Sequence, residues 1–276
     1  MRLLNKVPAP SAFTALTLIL VLLTLFTSTV ILRASDEDAR RTSTSKVSTN
    51  AEGAPQLDLF FPLTPGTWWL YRGTVTWSDQ QTEKDAHADV NLKMTVEKVI
   101  QKPEFLIAVL SGFPRDLDWA TGEVAAMPWL LIETTRHEVF LNPLPPDFDY
   151  AKLDKDAATL EKFLAEDNLL FRWPLKQGMK FGDAESIRRD DGHYCWAVTK
   201  QETKKPGDVK GLSSKFAEVF LLQYVTNPDD TEMEISPGIG ILKYQYHHHG
   251  TVAETDLSLV EFHPAPPPPA APGARP

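Results

Sequence analysis

The stretch Val90–Val96 alternates without a break: Val90, Leu92, Met94 and Val96 are apolar, and Asn91, Lys93 and Thr95 between them are polar. A period of two belongs to a strand with one face buried and one wet, so this segment specifies antiparallel sheet rather than helix. Thr67–Trp77 reads the same way, with Trp69, Tyr71, Val75 and Trp77 on one side. Trp68 and Trp69 are adjacent, so a strand must send them to opposite faces, one to the core and one to solvent, a partner or a ligand. Phe105–Leu110 and Phe216–Val225 are apolar on both faces, as in central strands covered twice. Further strands are expected at 129–133, 138–141, 193–200, 241–249 and 256–262, with Pro206-Gly207, Asn227-Pro228 and Pro237-Gly238 as turn steps between them. Glu232 and Glu234 share one strand face and read as a solvated edge. Asp190-Asp191-Gly192 reads as a turn. One helix is expected over Tyr150–Asp167, where Leu153, Ala157, Leu160 and Leu164 form an apolar stripe and Asp147 or Asp149 supplies the cap. The fold class is mainly β with one substantial helix.

Outside this domain the chain changes character. Ala12–Leu32 carries no charge and is long enough, at about 1.5 Å per residue, to cross a hydrocarbon core of roughly 30 Å. It is expected to be an uncleaved transmembrane signal anchor behind a short cytoplasmic leader, residues 1–11. The alternative is a cleaved signal peptide, whose best site, after Ala34, has Leu32 where a small residue belongs. Residues 33–55 are polar and charged and read as a disordered tether, and residues 264–276 form an extended proline-rich tail. The span 56–263 is then one β-rich domain on the periplasmic or extracellular side of a bacterial cytoplasmic membrane. The formal charge of −9 argues against nucleic acid as a partner. The single cysteine, Cys195, excludes a disulfide scaffold within one chain and a lipoprotein anchor near the N-terminus.

An internal echo links two distant segments. Phe61-Pro-Leu-Thr-Pro-Gly-Thr-Trp-Trp69 and Trp173-Pro-Leu-Lys-Gln-Gly-Met-Lys-Phe181 share the form aromatic-Pro-Leu-x-x-Gly-x-x-aromatic. Proline ends one pairing, glycine permits the turn and the aromatic opens the next strand, so two sheet halves built alike are expected. The run Phe61–Arg72, with Pro237-Gly-Ile-Gly-Ile-Leu-Lys243, resembles a set of exported bacterial domains of unknown function that open with FPLxPGxxWxYR and close with PGxGxxK. The resemblance implies a curved antiparallel sheet or incomplete barrel, similar to envelope lipoprotein-carrier half-barrels, and it implies no catalytic residues.

Motifs for an acyl-transfer nucleophile, a phosphate loop, a zinc protease or a dinucleotide fold are missing. Candidate sites therefore rest on residue type and face. If the sheet stays open, Trp69, Tyr71, Val90, Leu92, Met94 and Val96 line an apolar groove suited to a lipid-like guest. If it closes, they are core. Trp68, Arg115 and Trp119 are candidate partner contacts. His193 and Cys195 sit at spacing two, as do His247 and His249, and if their strands paired they would offer zinc or copper a donor set. The reading is a membrane-tethered, non-catalytic binding or assembly module for an envelope protein or apolar ligand, with no cofactor. The alternative is a metal-dependent enzyme using the His/Cys cluster.

Overall fold

A computed structural model describes residues 61–79, 82–117, 127–145, 147–155, 157–212, 217–249 and 253–266. The leader, the proposed span 12–32, the tether, Trp119 and the end of the tail lie outside these residues. Among the described residues no helix is long and apolar enough to cross a membrane.

Among the described residues twelve strands form one antiparallel sheet. They are β1 (Trp68–Asp79), β2 (Lys84–Gln101), β3 (Phe105–Ser111), β4 (Trp129–Thr134), β5 (Glu138–Pro143) and β6 (Leu169–Arg172). The second set is β7 (Lys180–Phe181), β8 (Trp196–Lys204), β9 (Ala217–Val225), β10 (Asp229–Ser236), β11 (Gly240–His248) and β12 (Ala253–His263). Each strand neighbours the next in sequence, and β12 returns to pair with β1. Only β6 and β7 face each other without a ladder, and their edges lie close together. The sheet is thus a nearly closed barrel, which goes beyond a curved sheet, the first of the two forms expected, and lies nearer the second, an incomplete barrel.

The alternation in the sequence sorts the two faces. Trp69, Tyr71, Val75, Val90, Leu92, Met94 and Val96 are all 5% exposed or less. They share one buried core with Leu257, Leu259, Met233 and Tyr244. The six residues expected to line an open groove are therefore core, because the sheet wraps far enough for its apolar faces to cover one another.

The expected helix is present in two pieces, α1 (Ala151–Lys155) and α2 (Ala157–Phe163). Asp149 accepts the Ala151 N–H at 3.0 Å, as the sequence suggested. Phe148, Tyr150, Leu160, Phe163 and Leu164 pack on the core, and buried Asn142 donates to the Phe163 carbonyl at 3.1 Å. That layer covers β5, which is buried at all but its last residue, and β4 beside it is buried along its whole length.

The repeat expected from the two aromatic-Pro-Leu segments extends to the hydrogen bonds. Thr67 N–H bonds Thr64 O, Gly66 N–H bonds Val96 O, and Val96 N–H bonds Thr67 O. In the second half Met179 N–H bonds Lys176 O, Gly178 N–H bonds Val198 O, and Val198 N–H bonds Met179 O. Gly66 and Gly178 have φ of +88° and +89°, a conformation in which a side chain is strained. The register slips at the next position too, between Val96 and Lys98 in one half and between Val198 and Lys200 in the other. Strands β1–β6 and β7–β12 are two six-stranded meanders with the same entry.

Candidate functional site at the barrel rim

The inner face of the second half changes from apolar to polar toward one end of the barrel. Met233 opposes Tyr244, the next inward pair is Thr231 and Tyr246, and the last is Asp229 and His248, where β10 begins and β11 ends. Neighbouring strands extend the middle rung, Thr231 pairing with Tyr224 and Tyr246 with Thr255. A single 3-10 turn after β3, Pro114–Asp116, lies against this rim. It is held there by Phe113, packed against Trp129 with ring centroids 5.0 Å apart and tilted by 33°, and by the Arg115 guanidinium, 5.5 Å over the same indole. Together Pro114, Arg115, Leu117, Asp229, Thr231, Tyr244, Tyr246 and Thr255 enclose a cavity of about 250 Å³.

Its chemistry is that of a neutral donor array beside one carboxylate and one guanidinium. Tyr246 Oη donates to Asp229 Oδ1 at 2.9 Å, and His248 Nδ1 meets the same oxygen. Burial pushes the Tyr244 phenol up to about 12. Burial, reinforced by the Asp229 charge, raises Tyr246 well above the ordinary phenol value. Both phenols are therefore hydrogen-bond donors at any physiological pH. For Asp229, burial pulls the pKa up, but the hydrogen bonds from His248 and Tyr246 outweigh it and leave the group below the usual carboxylate value. A depressed carboxylate stabilises the fold above its unfolded pKa of about 3.9, and that contribution is lost as pH falls through the lower folded value. Asp229→Asn is thus expected to lose stability relative to the parent at pH 6 and to close the gap toward pH 2. Urea unfolding midpoints of both proteins across that window check it, and a gap independent of pH would refute the assignment.

The residues singled out in the sequence are distributed differently. Trp68 lies on the outer face, half-buried, stacked at 5.3 Å on His263 with Lys93 Nζ 4.7 Å from its ring. Arg115 is exposed and lines the rim cavity. His193 and Cys195 precede β8 and are not part of it. The Asp191-Gly192 turn and a Tyr194 φ of +63° break the strand there, so spacing two does not give them a common face. Cys195 is buried, its Sγ 3.6 Å from the Gly192 carbonyl oxygen, and burial raises its thiol pKa. His247 Nδ1 lies 4.0 Å from Glu254, and His249 Nε2 lies 3.6 Å from Asp230. Strands β9 and β10 separate β8 from β11, so the condition that these strands pair is not met. Among the described residues no three His, Cys, Asp or Glu side chains come together as a metal site. Glu234 is tied to Lys204 at 2.7 Å and Glu232 accepts from Gln223 at 3.3 Å.

The rim residues Asp229, Tyr244, Tyr246 and His248 were not among the candidates. Their signal was present in the same alternation: Tyr244, Tyr246 and His248 share the face opposite His247 and His249, and that face is the inward one.

No family model matches the chain, and no curated protein matches it. Among solved structures, a protein from Bacteroides fragilis described as exported and of YmcC-like fold is 11% identical, with a TM-score of 0.32. The match covers 74% of this chain and 98% of that one. A protein from Parabacteroides distasonis described as a lipoprotein matches at 11% identity and a TM-score of 0.30, with the same coverage. Likenesses this distant leave the site to be read from its own geometry.

Proposed function

We propose that the protein is a membrane-tethered, extracytoplasmic, non-catalytic binding module that takes a polar group of an envelope protein partner into its rim cavity. The observation that carries this reading is the contrast between the packed interior and the open, polar rim. Trp69, Tyr71, Leu92 and Met94 are fully buried in the interior, whereas Arg115, Asp229 and Tyr246 line a space at the surface. About 250 Å³ is below the roughly 300–1,000 Å³ of a typical small-molecule site, so it suits one side chain or a chain terminus better than a whole lipid. A general base or nucleophile needs a pKa near the working pH, and the rim phenols are held far above it, which suits them to donating hydrogen bonds. The uncharged run Ala12–Leu32 and the polar stretch after it supply the anchor and the stalk.

Site-specific photocrosslinking in membranes tests this. A photoreactive residue replacing Arg115 should yield a discrete protein adduct, and the same residue replacing Thr74 on the outer face of β1 should not. Tyr246→Phe, which removes the donor to Asp229, should weaken the adduct about 5-fold, the worth of one hydrogen bond. Identical adducts from both positions, or none at position 115, would overturn the reading.

A further inference from the structure

The two meanders begin alike and then diverge, and a second cavity lies where they do. In the first half β1 runs for twelve residues and pairs with β12 and β2. In the second half its counterpart β7 stops after two. The equivalent entry hydrogen bonds place Phe181 where Trp69 stands in the first half. Trp69 is flanked by β12 through its ladder, whereas β7 has no hydrogen-bonded strand on its other side, only the nearby edge of β6. Instead the chain turns at Gly182 into a short helix, α3 (Ala184–Ile187), capped by the Asp183 carboxylate. A cavity of about 160 Å³ lies at this end, beside the point where β7 stops.

Aromatic rings make up half of its lining, Phe181, Tyr194, Trp196 and Tyr224. Phe181 pairs with Trp196 and Trp196 with Tyr224, so three rings stand side by side on one face of β7, β8 and β9. The Trp196 and Tyr224 centroids are 5.1 Å apart at 43°. Tyr194 closes the side and is 39% exposed, which leaves the cavity a solvent-facing wall. Two carboxylates, Asp167 from the turn before β6 and Asp183, complete the lining. Burial raises the Tyr224 phenol; the Asp167 and Asp183 charges raise it further, while Arg115 of the rim cavity acts in the opposite sense. The hydrogen bonds of Asp183 to Ser186 hold it below the usual carboxylate value, so it is ionised at neutral pH. One ring already carries a cation: the Arg189 guanidinium lies 5.0 Å over Tyr194 and is paired with Asp191.

We propose that this cavity binds the alkylated ammonium head of a small organic cation. Ring faces are negative and offer no hydrogen-bond acceptors. They therefore favour a cation that carries methyl groups to pack on the rings, with Asp167 and Asp183 supplying the opposite charge. The two carboxylates supply the long-range attraction, and the three adjacent rings supply the shape. This inference is independent of the partner at the rim.

Full-length protein in a non-ionic maltoside detergent, titrated with choline and followed by tryptophan fluorescence, tests it. Saturable one-to-one binding is expected, at least about 10-fold tighter than that of 3,3-dimethylbutan-1-ol, which has the same shape without the charge. Tyr194→Ala and Asp167→Asn, both at exposed positions outside the core, should each weaken choline binding about 3–30-fold. Phosphatidylcholine vesicles that compete with choline would assign the head group to a membrane lipid, and vesicles that do not compete would assign it to a free cation. Equal binding of choline and its neutral isostere, absence of saturable binding, or unchanged affinity in folded Tyr194→Ala would each overturn the proposal.

Discussion

Trp69→Ala is expected to destabilise the barrel domain by about 3–5 kcal/mol, the range for deleting a buried large aromatic. The side chain is fully buried and is the point at which three parts of the chain meet. Its ring lies 5.7 Å from Phe262 of β12, and its Nε1–H donates to the Ile239 carbonyl in the β10–β11 turn at 2.5 Å. Phe61 of the entry segment packs beside it over Gly240. Truncation therefore leaves a cavity and an orphaned carbonyl at the seam where β12 returns to β1. Trp68→Ala is the control within the same dipeptide. It removes an outer-face stack on His263 and a cation contact with Lys93, interactions worth about 0.5–1 kcal/mol at exposed sites. Urea denaturation followed by far-ultraviolet circular dichroism measures both. Equal losses for the two variants would mean that the faces of β1 are wrongly assigned.

The second large effect is expected from the smallest possible change, Gly73→Ala. Gly73 sits mid-strand in β1, paired with Val90 on one side and Leu257 on the other. A Cβ there would lie 1.7 Å from the Asp256 carbonyl oxygen and 2.8 Å from its carbon. The obstruction is backbone, so no rotamer change relieves it, and β1 and β12 must separate. Overpacking typically costs about 1–3 kcal/mol where side chains can shift, so about 3 kcal/mol or more is expected here. The register slip between Leu70 and Tyr71 precedes this point, and a bulge tightens local twist. A thermal midpoint for Gly73→Ala within 2 °C of the parent would show that the strands part more easily than this geometry allows.

Gly73 also marks a limit of sequence reading. In a strand pattern a glycine looks like a weakness, and only the close approach of the β12 backbone shows it to be a requirement. The histidines carry the same lesson. Alternation correctly separated His247 and His249 from Tyr244, Tyr246 and His248, yet it does not say which set faces inward. That depends on how far the sheet curls, a property of all twelve strands together. The metal hypothesis needed β8 beside β11, and pairing between distant strands is not written in either segment alone.

What the residues determine by themselves is local. The period of two in Val90–Val96 and Thr67–Trp77 makes strands with one apolar face. The four-three-four spacing from Leu153 to Leu164 makes a helical stripe, and Asp149 caps it. The paired aromatic-Pro-Leu-x-x-Gly segments make two equivalent entries, with matching glycines in a conformation other residues resist. These features depend on bond geometry and burial over a few neighbours. Closure, the unpaired edge between β6 and β7, the polar rim and the aromatic cavity were decided by tertiary structure. Each depends on which strand lies beside which, and on β7 ending where β1 continues, so each is a sum over contacts far apart in the chain.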